Sequence, residues 1–444
     1  MKTRHFATGP GKLCVYLRII LHVLCRYAAR PELFAGPIDY GRFLIRALRL
    51  LLVFRHNKVV RVYNGWKLHL YLPAYPSPAF FYALERKLVQ TPPGPTTVVF
   101  SMTKACDYTC SHCYQRRDGG PDVDEGLLIR TALAVRDCGV SMFDIEGGEP
   151  FMRYERLLRL VRALDERSEV WINTTGAHVE PGMLEELKKS GVFGVMVSIH
   201  SPDAAIHDAF TGVPGSFDTA CRLIRQWRAL GLVAALNSVL SEEELPGGGL
   251  NRLMELAKDL DCDFVQLIHP KPAGKWLGRT EAMQQGRSVI EFVRREHVRY
   301  NSRKMHEYPA LAAQVFEESE NVLGCTAGGV DRFYVNATGE VQPCEFLNVS
   351  FGNVHDESFE TIFERMRTCF REPGVDWLCC TQTGEIQRLF LAHQLERTPI
   401  PWSVTRTLTA QWHRGRPTPL YKKLGIYRED ASIDRNSPPP GAAQ

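Results

Sequence analysis

Two stretches near the start of the chain, 13–29 and 41–54, are mostly apolar with basic residues at spacings of three and four. Arg18, His22 and Arg26 lie in the first, and Arg42, Arg46 and Arg49 in the second. That period puts each basic set on one face of a helix, opposite a Leu/Ile/Val face. Pro31 and Pro37 punctuate the link between them. Neither stretch has the ~20 charge-poor residues of a membrane span. A cationic stripe opposite an apolar face fits a helix lying on a membrane surface. It equally fits a helical hairpin packed on an enzyme body with its arginines in water. Alternation follows at 58–72, where Val59, Val60 and Val62 precede Leu68, Leu70 and Leu72 around Asn64-Gly65. This predicts a β-hairpin.

From residue 96 onward, short apolar runs alternate with helical patterns. The runs are 97–102, 142–146, 170–173, 195–199, 233–240 and 263–268. Between them lie 127–138, 154–166, 183–189, 217–230 and 250–260. Six βα repeats predict an α/β fold, a parallel sheet with right-handed crossovers curled into a partial (β/α)6 barrel. The active site of such a barrel lies at the C-terminal ends of the strands. The expected organisation is a basic amphipathic helical extension (1–94), the barrel (95–310), a small cysteine-rich domain (311–385), and a C-terminal helix with a disordered tail (386–444). Pro92-Pro93-Gly94-Pro95 marks the first boundary, and 333–341 reads as a hairpin turning at 336–339.

Composition changes this picture in two places. The chain has 444 residues, 44% hydrophobic and 23% charged, which excludes a largely disordered or collagen-like chain. The net charge of +4 hides an asymmetry, because residues 1–90 hold 15 Lys+Arg against 3 Asp+Glu. Thirteen cysteines form an odd set, and several cluster at short spacings, which points to metal ligation in a reducing compartment. The first residues are polar and no signal-cleavage pattern follows, so the expected location is cytoplasmic, with contact at the inner face of the membrane as a further option. No basic groove interleaved with aromatics is present, and nucleic acid is not an expected partner.

Cys106-x-x-x-Cys110-x-x-Cys113 falls directly after the first barrel strand. Three thiolates within eight residues can wrap one iron–sulfur cluster, since thiolates are the soft ligands such clusters take. A cubane so held keeps one iron open to a substrate or cofactor. The alternative is a structural zinc site, which wants four ligands, with His112 as a candidate fourth. Gly147-Gly148-Glu149-Pro150 follows the second strand. Two glycines allow close backbone approach to a ligand, and their carbonyls with the Glu149 carboxylate could receive an ammonium group.

These two motifs, in this order on a six-fold βα repeat, resemble the radical S-adenosylmethionine (radical SAM) superfamily over roughly 96–350. The resemblance implies a 4Fe-4S cluster on Cys106, Cys110 and Cys113, its open iron chelated by the amino and carboxylate groups of SAM. It implies Gly147, Gly148, Glu149 and Pro150 beside the SAM amino group, with Asn173 and Ser198 as further SAM contacts. His112 stands where the family has an aromatic residue beside adenine, and His200 where many peptide-modifying relatives carry an aspartate. Cys325, Gly339 and Cys344, followed by Cys379 and Cys380, resemble the twitch or SPASM extension, which implies one auxiliary 4Fe-4S cluster. Cys369 or substrate could complete its ligands.

The implied function is reductive cleavage of SAM to a 5′-deoxyadenosyl radical that takes hydrogen from an organic substrate, a peptide or a lipid. The electron donor would be a flavodoxin or ferredoxin. The alternative is a non-catalytic iron–sulfur carrier or redox sensor. Peptide maturases often carry a winged N-terminal domain, and residues 1–94 show no clear three-helix-plus-hairpin pattern. The loop 269–275 could meet an anionic substrate group or line the site rigidly. Cys14, Cys25, Cys138, Cys221 and Cys262 lie on apolar faces and are expected in the core.

Overall fold

The N-terminal segment begins with β1 (Phe6–Ala7), α1 (Gly9–Ala28) and α2 (Pro37–Val53), followed by the antiparallel pair β2 (Val59–Val62) and β3 (Gly65–Lys67), then α3 (Pro78–Leu88). The computed structural model describes residues 6–90, 93–279, 286–371, 373–412 and 415–425. Among the described residues of this region are three helices and a three-stranded sheet, ordered β1-β2-β3; the two helices and the hairpin are as expected, whereas α3 and β1 complete a three-helix-plus-hairpin pattern that the sequence does not make clear. β1 is only two residues long, too short for a periodic signal, and α3 is a short helix with seven of its eleven residues buried. The hairpin turn falls at Tyr63-Asn64, with Gly65 already paired to Val62. Leu68 and Leu70 are buried beyond the end of β3.

The body follows as β4 (Thr97–Ser101), α4 (Glu125–Asp137), β5 (Met142–Glu146), α5 (Tyr154–Ala163), β6 (Glu169–Thr174) and α6 (Met183–Lys189). It continues with β7 (Val192–Ser198), α7 (Ala204–Thr211), α8 (Ser216–Ala229), β8 (Val233–Ser238), α9 (Leu250–Asp259), β9 (Phe264–Leu267), α10 (Arg287–Tyr300) and β10 (Ala310–Ala313). Helices start where the sequence supplies caps: Asp124 accepts from Leu127 N at 2.9 Å, and Asp203 from Ala205 N at 2.9 Å. After the short α11 (Gln314–Glu317) come β11 (Arg332–Val335) and β12 (Val341–Gln342), then α12 (Phe359–Cys369), α13 (Leu378–Thr381), α14 (Thr383–Ala392), α15 (Trp402–Ala410) and α16 (Pro419–Leu424).

The strands form one curved sheet ordered β10-β9-β8-β7-β6-β5-β4-β11-β12. β4 through β10 are parallel, so the six βα units are present and lead into a seventh strand. This sheet corrects the expected boundary at 310. β10 crosses it, and β11 joins β4 in parallel, so the cysteine-rich segment is stitched onto the barrel sheet. Among the described residues three helices, not one, lie in or near 386–425, and the expected disordered tail lies outside the described residues.

Strand alternation sorts the two faces. Phe143 and Ile145 of β5 join the helix-side core, whereas Asp144 and Glu146 face the inside. Near the strand starts the inside is apolar: Met142, Trp171, Phe264 and Ala310 pack against Val60 and Val62 of the N-terminal hairpin and Leu70 just after it. Lys67 of β3 is buried there in an ion pair with Glu169 of β6 at 2.5 Å, and Glu169 also accepts from Ala74 N and Trp171 Nε1. The hairpin therefore plugs one end of the barrel, and the polar residues gather at the other.

The outer faces of α1 and α2 differ from the expected cationic stripes. Leu13, Leu17, Leu21 and Leu24 of α1 are 40% to 61% exposed, and Ile38, Ile45, Leu48 and Leu52 of α2 are 46% to 74% exposed. Arg18 and Arg26, and Arg42 and Arg49, flank these apolar stripes rather than replace them. Arg46 and Arg49 are also tied down, donating to backbone carbonyls of Leu424, Gly425 and Lys423 around the end of α16. Cys14 and Cys25 are exposed on α1, not in the core as expected.

Candidate active site

The loop after β4 carries Cys106, Cys110 and Cys113, and three sets of hydrogen bonds fix its path. Thr103 Oγ1 and Lys104 N both donate to Asp122, at 2.6 and 2.9 Å. Thr109 N and Ser111 N donate to Thr211 O and Phe210 O, at the end of α7. Lys275 Nζ donates to Thr109 O at 2.9 Å and Cys110 O at 3.2 Å, while Lys275 N donates to Cys113 O at 3.1 Å. The 269–275 loop thus acts, through Lys275, as a brace for the cysteine loop.

The glycines after β5 meet this same loop. Gly148 N donates to Thr103 O and Glu149 N to Ala105 O, both at 2.7 Å. A Cβ on Gly148 would sit 2.2 Å from Ala105 O and 2.7 Å from Cys106 Cβ, and one on Gly147 2.5 Å from Thr103 O. Glycine is required here because two backbones touch.

All three thiols open into one cavity of about 290 Å³ at the C-terminal ends of the strands, and Gly147, Gly148, Asn173, Ser198 and His112 line it too. Glu149 and Pro150 do not. The Glu149 carboxylate is fully buried and accepts from Phe151 N, Thr174 Oγ1, Thr175 N and Thr175 Oγ1 at 2.6 to 3.1 Å. It ties the β5 loop to the β6 turn and leaves no oxygen facing the cavity, contrary to the role the motif suggests. Glu146 lines the cavity instead, accepting from Gln115 Nε2 at 2.9 Å and from the Tyr114 hydroxyl.

The cavity has unspent polarity. Asn173 Oδ1, Asn237 Oδ1, Asp144 Oδ1 and His112 Nδ1 are buried without a hydrogen-bond partner. Such atoms cost stability unless a ligand or water meets them. Asn237, at the end of β8, was missed from sequence; its inward strand parity with Ser198 was the available signal. The His112 ring packs with His200 at 4.5 Å, Phe210 at 4.8 Å and Trp276 at 5.9 Å. Burial, with Lys275 nearby, pushes His112 down to about 4, so the ring is neutral.

The donor set fits a thiolate-held cluster. Burial pushes Cys106 up to about 11 and Cys110 to about 12, and raises Cys113, so each thiol would release a proton on binding iron. Among the described residues, no three Cys, His, Asp or Glu side chains converge on a point where a single metal ion would sit. A cubane asks for something else, one thiolate per iron around a shared space.

A second thiol group lies against the same sheet. Cys325, Cys344 and Cys379 line one small cavity with Trp377 and Phe346. Cys380 does not line it; the residue is exposed, next to Cys379 and near His269. Cys369 lies beside Thr409, away from this group. Lys271, from the loop that separates the two thiol sets, stacks 3.5 Å over the Trp377 ring.

Comparison with known proteins agrees with this layout. Residues 100–244 match the radical SAM superfamily, and residues 325–382 the SPASM iron–sulfur cluster-binding domain. The AdoMet-dependent heme synthase of Nitratidesulfovibrio vulgaris is 25% identical, over 63% of this chain and 82% of its own. The subtilosin biosynthesis protein AlbA of Bacillus subtilis is 25% identical, over 61% of this chain and 60% of its own. Among solved structures, Streptococcus suis SuiB bound to precursor peptide SuiA overlays with a TM-score of 0.49 at 18% identity, over 64% of this chain and 67% of SuiB. The chain is an enzyme that carries a radical SAM domain and a SPASM domain, and its cofactors are S-adenosylmethionine and 4Fe-4S clusters.

Proposed function

We propose that the protein reductively cleaves SAM and uses the resulting 5′-deoxyadenosyl radical to take hydrogen from an organic substrate. Cys106, Cys110 and Cys113 hold the SAM-binding cluster. Cys325, Cys344 and Cys379 hold the auxiliary cluster, which accepts or relays an electron, with Cys380 the nearest further thiol. When bound, the first cluster supplies one electron to the sulfonium of SAM, releasing methionine and the radical. The observation that carries this reading is the shared cavity: three thiols and four unpartnered polar atoms face one space at the strand ends.

The chain's own residues bind, orient and shield. Asn173, Ser198 and Asn237 offer polar atoms to SAM, and the backbone of Gly147 and Gly148 forms the wall beside the cysteine loop. His112, Phe210 and Trp276 supply an aromatic wall for adenine. Enclosure of this space keeps water from a reactive primary radical.

The electron comes from a flavodoxin- or ferredoxin-type donor. The protein works in the cytoplasm, and α1 and α2 rest on the membrane surface. Two features support that placement: eight of the thirteen exposed large apolar side chains among the described residues lie on these two helices, flanked by arginines. No helix of the described residues is long and apolar enough to cross a membrane.

Anaerobic reconstitution with SAM and dithionite tests the chemistry. The expected result is release of 5′-deoxyadenosine, abolished in Cys106→Ala/Cys110→Ala/Cys113→Ala, which retains only the auxiliary iron. Iron-replete protein that leaves SAM intact would overturn the reading.

A further inference from the structure

A second cavity, of about 120 Å³, lies beneath the N-terminal helices. Val23 of α1, Leu51 of α2, Phe80 and Leu84 of α3, and Leu420 and Leu424 of α16 form its apolar end. Its other end is charged. Arg332 of β11 lies there between Glu318 at 3.3 Å and Glu345 at 3.7 Å, with its Nε buried and unpartnered.

This cavity shares walls with both thiol-lined cavities. Tyr71, Gln266, Ile268, Glu345 and Phe346 form its common wall with the cavity of Cys106, Cys110 and Cys113. Glu318, Arg332 and Phe346 line it together with the cavity of Cys325, Cys344 and Cys379. Phe346 therefore borders all three spaces. An occupant of the apolar cavity has one end at the walls shared with both thiol cavities and the rest among the apolar side chains of α1, α2, α3 and α16, with the Lys87–Asp331 and His69–Glu317 pairs at its margin.

We propose that this cavity holds the hydrocarbon chain of the substrate, which is a lipid. The inference rests on the radical SAM reading above and adds the substrate class. An apolar cavity of about 150 Å³ takes up benzene, so this one has room for a hydrocarbon segment of that order, and it ends at the wall across which hydrogen abstraction would occur. The helices that roof it, α1 and α2, are the two that carry the exposed apolar stripes, so the chain site sits directly under the proposed membrane-facing surface. A peptide cannot add as a strand beside β3, because Trp66 and Tyr75 exchange both backbone hydrogen bonds there at 2.6 and 2.8 Å.

The test uses full-length, anaerobically reconstituted protein and two fluorescent probes, 11-(dansylamino)undecanoic acid and the chainless dansylglycine. The long-chain probe is expected to bind with an emission rise, and dansylglycine is not. Ala83→Trp, which fills the cavity from α3, should weaken long-chain binding at least tenfold. Leu84→Phe serves as a milder filling variant should Ala83→Trp fail to fold. Absence of long-chain binding, equal binding of both probes, or unchanged binding in a folded filling variant would overturn the proposal. Release of 5′-deoxyadenosine, measured on the same samples, separates the two readings. Cleavage of SAM without chain binding defeats the lipid site alone, and chain binding without cleavage defeats the radical reading.

Discussion

Gln266 Nε2 donates a hydrogen bond to Tyr71 Oη across the wall that divides the active-site cavity from the apolar one. Gln266 belongs to β9 of the barrel, whereas Tyr71 arrives from the N-terminal segment. The extension is thus part of the site's enclosure. Tyr71→Phe keeps the ring and leaves the buried Gln266 amide short of an acceptor. It should cost about 1–3 kcal/mol in urea denaturation, with an unchanged dependence on urea.

Gly148 touches the cysteine loop so closely that a methyl group has no place to go. Gly148→Ala should displace the loop and lower the iron content of anaerobically purified protein, while the far-UV circular dichroism stays that of the parent. A full iron complement in Gly148→Ala would show that the loop yields freely.

Cys14 and Cys25 are exposed and share the outer side of α1 with the leucine stripe. They are native reporters of that face. Iodoacetamide should modify both readily in free protein, and anionic vesicles should slow the reaction several-fold more than neutral ones. Mass spectrometry locates the label. Charge reversal at Arg46 or Arg49 is a poorer probe, because both guanidinium groups hold the end of α16. Leu17→Glu or Ile45→Glu tests the apolar face directly, and vesicle co-sedimentation should fall in each.

His297 links the N-terminal segment to the barrel. Its Nδ1 accepts from Ala313 N at 3.3 Å, so Nε2 carries the proton and donates to Asn57 Oδ1 at 3.1 Å. Burial pushes the ring from 6.5 down to about 4, outweighing nearby Glu317. Between those values the unfolded chain binds a proton that the folded chain does not. Stability from this group is full above pH 6.5 and falls as pH drops toward 4, by about 3 kcal/mol. Unfolding of parent and His297→Gln at pH 7 and pH 4.5 should show a smaller acid loss in the variant.

Much of the site was legible because its chemistry is local. Cys106, Cys110 and Cys113 fall within one loop, and the glycine motif directly follows a strand, so spacing alone placed them together at one end of the sheet. The six βα units were equally plain, since each strand and helix writes its own period. The side-chain direction of Glu149 was not, because the Thr174 and Thr175 hydroxyls that claim its carboxylate belong to another strand. Nor could spacing choose among Cys369, Cys379 and Cys380.

What the sequence by itself determined, then, was the repeating α/β architecture, the chemistry of its cysteine loop and a basic, apolar N-terminus. Tertiary structure alone decided which faces of α1 and α2 meet water, because helical period marks an apolar stripe without saying whether a partner covers it. It also decided that Tyr71, Gln266 and Phe346, distant in sequence, would form the walls between cavities. A cavity is bounded by side chains from many elements, and no local pattern encodes their meeting.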